Sequence, residues 1–94
     1  MPKLKPSDNE VASRITRAAI SNNMDLYGVS EDFLSAKAGV TVKTIQNKRK
    51  RPETLTLEEL WLLSKTLKLT PIQAASIVLG RTLSSKEIKE FILM

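Results

Sequence analysis

Between Ser35 and Pro52 the chain carries Lys37, Lys43, Lys48, Arg49, Lys50 and Arg51, and no acid interrupts them. Elsewhere basic and acidic residues nearly balance, and the net charge of the whole chain is +5. Excess charge alone describes an ordinary basic surface. A stripe of one sign is different: it is the electrostatic footprint expected of a polyanion partner. The run Lys48–Arg51 also reads as a solvated basic turn or as a localisation signal, and both readings stand beside the polyanion one.

Other chemistries lack their residues. The chain has no cysteine and no histidine, so zinc ligation, thiol nucleophiles and histidine acid–base catalysis all lose an essential member. The acidic pairs Asp8/Glu10, Glu31/Asp32 and Glu58/Glu59 stand where helices are expected to begin, and the helix dipole accounts for them. No catalytic, metal or cofactor site is therefore expected, and an enzyme is the poorest reading. The apolar runs, such as Leu60–Leu63, are too short to span a bilayer. Residues 1–6 lack the apolar stretch of a secretory signal. These features, with the absence of cysteine, lead us to expect a cytoplasmic protein that does not bind membranes.

The basic stripe has to be held by helices, and the helix punctuation is legible. With 94 residues and 41% hydrophobic content, one domain is expected. Ser7 with Glu10 has capping-box spacing, and Val11, Ile15, Ala18 and Ala19 follow at helical intervals. The first helix is placed at about Asp8–Leu26, with Asn22–Asn23 as its fraying point and Gly28 as its stop. Ser30 caps a short helix over Glu31–Ala38, with Leu34 and Ala38 inward and Gly39 ending it. Thr41 caps the next, with Ile45 inward, and Arg51–Pro52 closes it. Thr56 with Glu59 starts a fourth helix, about Leu57–Leu67, with Leu57, Leu60, Leu63, Ser64 and Leu67 on one face and Trp61 read as a packing residue. Thr70, Pro71 and Gln73 start a fifth, ending at Gly80. Ser84 with Glu87 starts a last one. No alternating strand pattern competes, so the expected class is all-α, with five to six short helices. Residues 1–7 are expected to form an arm, 8–80 the domain, and 81–94 a C-terminal helix.

Ser30–Lys48 is thus two short helices joined at Gly39-Val40-Thr41, a unit that projects its second helix outward. Here the sequence resembles the Cro/cI repressor-like helix-turn-helix family. The matching residues are Leu34, Ser35, Ala38, Gly39, Val40, Thr41 and Ile45. A second block comprises Leu60, Leu63, Ser64, Leu67, Leu69 and Thr70, at the family's separation from the first. The resemblance covers about Val11–Leu79.

The resemblance implies a lambda-repressor-like domain whose recognition helix begins at Thr41 and exposes Val42, Lys43, Thr44, Gln46 and Asn47. Val42, Lys43 and Asn47 fall where family members reach base edges. Asparagine suits adenine, lysine suits guanine, and valine suits a thymine methyl. Thr41 and Thr44 fall where phosphates are met, and Gln46, Lys48, Arg49, Lys50, Arg51 and Lys37 are further backbone candidates. About six neutralised phosphates per monomer would give a log–log salt slope of order −5. Two departures bear on this. Glu31 stands where the family has a neutral polar residue, and a carboxylate there repels phosphate unless it points away. Arg49 stands where the family has a glutamate that pairs internally, so that ion pair is either absent or rebuilt.

The implied partner is double-stranded DNA, and the implied role is a transcriptional regulator, a repressor of phage or mobile-element type in a bacterial cytoplasm. The apolar C-terminal residues Ile88, Phe91 and Ile92 are read as a homodimer seam, against the alternative that they fold back on the monomer. Competing readings are a protein-interaction module, such as an antitoxin or antirepressor, and a recombination accessory protein.

Overall fold

A computed structural model describes residues 7–92, with side chains described through Glu90. Its helices are α1 (Asp8–Tyr27), α2 (Glu31–Ala38), α3 (Val42–Lys50), α4 (Leu57–Thr66), α5 (Pro71–Leu79) and α6 (Ser85–Ile92), with a 3-10 turn at Pro52–Thr54. The described residues contain no strand, and the protein is all-α. Most of the expected N-terminal arm lies outside the described residues.

Local side-chain chemistry sets the starts. Ser7, Ser30, Thr41, Thr56 and Thr70 each accept a hydrogen bond from the backbone N–H three residues on. This satisfies a donor that has no partner within the helix. At Thr56–Glu59 and Thr70–Gln73 the acid or amide returns the bond to the cap backbone, completing a capping box. Ser84 and Glu87 make the same reciprocal pair at the start of α6. At Ser7–Glu10 only the serine half of the box is present.

The core takes few residues from each helix. Ile20 and Met24 of α1, Leu34 of α2, Ile45 of α3, and Leu63 and Leu67 at the end of α4 form one buried cluster. Val29, Ala38, Leu55 and Leu69 pack against it. Each buried aliphatic side chain contributes ~1.5–3 kcal/mol. The one residue that each of α2 and α3 commits, Leu34 and Ile45, therefore fixes how those short helices sit.

Three expectations are corrected. The buried stripe of α1 is Thr16, Ile20, Asn23 and Met24, while Ala18 points outward. Asn23 is not a fraying point: it is 2% exposed and bonded to α4 and α5. On α4, Leu57 and Trp61 are each 59% exposed rather than packed. At ~100° per residue, both lie about a quarter-turn or more from the line through Leu60, Leu63 and Leu67.

Helix α5 docks on α1. Gly80, in the left-handed conformation that ends α5, sits close against α1: a Cβ there would crowd Ala12 Cβ at 3.0 Å. Although α5 is largely apolar, none of its residues is fully buried, and Val78 and Leu79 face solvent. Arg81 and Glu87 form a bidentate pair that ties the turn after α5 to the first turn of α6. Ile88, one of the expected seam residues, is half-buried. The side chains of Phe91 and Ile92 lie outside the described ones.

Candidate nucleic-acid interface

The turn Gly39–Thr41 aims α3. Gly39 has φ +69°, a left-handed conformation that ends α2 without strain. Thr41 then caps α3, its hydroxyl accepting the Thr44 N–H at 3.2 Å and lying 2.9 Å from the Thr44 hydroxyl. Both threonine hydroxyls are thus committed to the helix start.

With Ile45 buried, helix geometry puts Lys43, Gln46, Asn47 and Lys50 on the outward side of α3. All of these side chains are exposed. Lys43, Asn47 and Lys50 lie in one row along the helix. Lys50 thereby shares the outward row of Lys43 and Asn47, whereas the sequence grouped it with the backbone or secondary contacts. Val42 and Thr44 are half-buried on the two flanks, which narrows the expected exposed set.

The basic run does not face outward as a block. Lys48 Nζ donates to the Thr54 carbonyl at 2.8 Å and to Glu59 Oε1 at 3.0 Å, fastening α3 to the start of α4. Partial burial opposes Glu59 ionisation, but hydrogen bonds from the Thr56 backbone and from Lys48 outweigh it. The carboxyl lies below the usual carboxylate range. Arg49 Nη1 donates to Glu31 Oε2 at 2.9 Å, and its Nη2 donates to Ser21 Oγ at 3.1 Å. The hydrogen bond from Arg49, with a second from Gln46 Nε2 at 3.3 Å, holds the Glu31 carboxyl below its ordinary range. Lys48 and Arg49 are therefore half-buried ion-pair partners in the free protein rather than unpaired cations. Glu31 is thus the internal acid that pairs with Arg49.

Arg51 is exposed, with a loose 3.9 Å approach to Glu53. Lys37 is exposed, and its ammonium lies 5.5 Å from the Phe33 ring centroid.

Sequence reasoning missed Arg17. From α1 its Nη1 donates to the Lys50 carbonyl at 3.2 Å, so a cation from a second helix stands beside the end of α3. Nothing local marks it, because its partner lies 33 residues away. Arg17, Ser21, Glu31, Gln46, Arg49 and Lys50 line an open cleft of about 490 Å³ between α1, the start of α2, and α3.

The fold defines an all-α protein with a cationic helix face. No protein-family model, curated protein or solved structure matches the chain. Among the described residues, no helix is long and apolar enough to cross a membrane.

Proposed function

We propose that this chain is a sequence-specific duplex-DNA-binding regulator of the Cro/cI repressor-like type. It represses by occupying an operator, as a homodimer in a bacterial cytoplasm. The observation that carries the reading is the outward row Lys43, Asn47 and Lys50, with Gln46 beside it, on an acid-free helix. That helix is fastened to α4 by Lys48–Glu59, and on its other flank Arg49 meets Glu31 in a water-exposed pair. Rigid presentation of donors that match purine edges is what direct readout of a major groove requires.

Among the described residues Lys37, Lys43 and Lys50 form no ion pair, Arg51 forms only a loose one and Arg17 is half-buried, whereas Lys48 and Arg49 already have partners. About four neutralised phosphates per protomer give a log–log salt slope of about −3.5, shallower than a count of charges in the sequence suggests.

The test is selection of bound duplexes from a random pool at two salt concentrations. A palindromic motif with half-sites about one helical turn apart is the expected result. Salt-sensitive binding without a motif would replace the regulator with a general or recombination-accessory binder. No binding would overturn the DNA reading.

A protein-interaction module is the second reading, favoured by the exposed Leu57 and Trp61. An antitoxin or antirepressor of this kind would keep its partner after Lys43 and Lys50 are both replaced by glutamine.

A further inference from the structure

The cleft between α1 and α3 collects Arg17, Arg49 and Lys50 with the neutral donors Ser21 and Gln46, and it contains one acid, Glu31. The two oxygens of that acid are spent on two different donors: Oε2 on Arg49 Nη1 and Oε1 on Gln46 Nε2. This is how the two non-bridging oxygens of a phosphodiester are held, with the same single negative charge. The side chains of Glu31 and Arg49 are 28% and 32% exposed. An ion pair so open to water is weak, so exchanging its anion costs little.

We propose that this cleft is the seat of one backbone phosphate of duplex DNA, and that Glu31 is a built-in competitor for it. In the free protein Glu31 occupies Arg49 and Gln46. On DNA a phosphate oxygen takes those donors, and Arg17 and Lys50 supply the remaining positive charge. Glu31 then swings toward solvent. Two anions cannot share the donors, so the carboxylate lowers affinity for every duplex alike and leaves sequence preference untouched. The inference rests on the DNA-binding reading and assigns Glu31 a role in setting affinity.

The test compares wild type, Glu31→Gln and Glu58→Gln on the selected duplex, or on a random duplex if no motif emerges. Glu58 is exposed on α4, and its removal controls for the change in net charge. Glu31→Gln is expected to bind about three- to tenfold tighter near ~0.1 M salt, with the salt slope little changed because the same phosphate is neutralised in both proteins. Glu58→Gln is expected to change affinity by less than about twofold. Adding Arg49→Gln should abolish the gain. Equal behaviour of the two glutamate variants, or weaker binding by a folded Glu31→Gln, would overturn the proposal. Should Glu31→Gln fail to fold, Arg17→Gln decides: the seat requires weaker binding and a slope shallower by about one.

A separate titration keeps the two readings apart. Inorganic phosphate added to the Glu31→Gln protein should shift the NMR resonances of Ser21, Gln46 and Arg49 more than in wild type. If no duplex binds wild type, the DNA reading fails, and this titration alone supports or overturns the anion seat.

Discussion

Asn23 and Gln73, fifty residues apart, exchange two amide hydrogen bonds: Gln73 Nε2 donates to Asn23 Oδ1 at 2.8 Å, and Asn23 Nδ2 donates to Gln73 Oε1 at 3.0 Å. Asn23 Nδ2 also donates to the Leu67 carbonyl at 2.8 Å. One buried side chain thereby joins α1, the end of α4 and the start of α5. Asn23→Ala leaves the Leu67 carbonyl and the Gln73 amide short of partners, and is expected to cost about 2–3 kcal/mol in urea unfolding. Asn23→Asp should cost at least as much above pH ~4, since its carboxylate faces two oxygens that it cannot donate to. A loss below about 0.5 kcal/mol would show that water replaces the network.

The two kinds of cation on α3 should separate cleanly. Lys43→Ala and Asn47→Ala are each expected to cost about 1–3 kcal/mol on the selected site and to relax specificity at one position. Lys50→Ala should lower the salt slope by about 0.9. Lys48→Ala should leave the slope unchanged and instead lower folding stability by about 1 kcal/mol, because its ammonium is bound to Thr54 and Glu59. Anisotropy titrations across a salt series, paired with urea melts, check all four variants.

Gly39 and Gly80 share a left-handed backbone but not a neighbourhood. A Cβ on Gly39 meets nothing within 4 Å, whereas one on Gly80 meets Ala12. Gly39→Ala should therefore cost only the conformational strain, about 1–2 kcal/mol. Gly80→Ala should cost more, because α5 must also move off α1. Urea midpoints at equal slope make the comparison, and equal losses would mean that the contact with Ala12 relaxes freely.

Glu87 offers a pH signature. The hydrogen bonds from Arg81, then those from Ser84, lower its carboxyl from 4.5 to about 2. The folded value is depressed, so this pair's contribution to stability is full above pH ~4.5 and fades as the pH falls toward 2. A carboxyl-carbon NMR titration should place the midpoint near 2, and Arg81→Ala should return it toward the ordinary value. A wild-type midpoint near 4.5 would show that α6 is not tied to Arg81 in solution.

The helix boundaries were legible in the sequence because their causes are local. Ser30, Thr41, Thr56 and Thr70 reach a backbone N–H three residues on, and Gly28, Gly39 and Gly80 end helices by their own torsions. Ile45 was expected to face inward from its own segment, while the outward position of Lys43 and Asn47 was what the family resemblance implied.

What the basic run does was decided by tertiary structure alone. Lys48 and Arg49 look no different from Lys50 and Arg51 along the chain. Whether each faces solvent or an acid depends on Glu59 and Glu31, which other helices deliver to within hydrogen-bonding distance. Asn23, Arg17 and Trp61 escaped sequence reading for the same reason. A side chain's periodicity tells which way it points from its own helix, but only the packing of the other helices determines whether a partner waits there or water does.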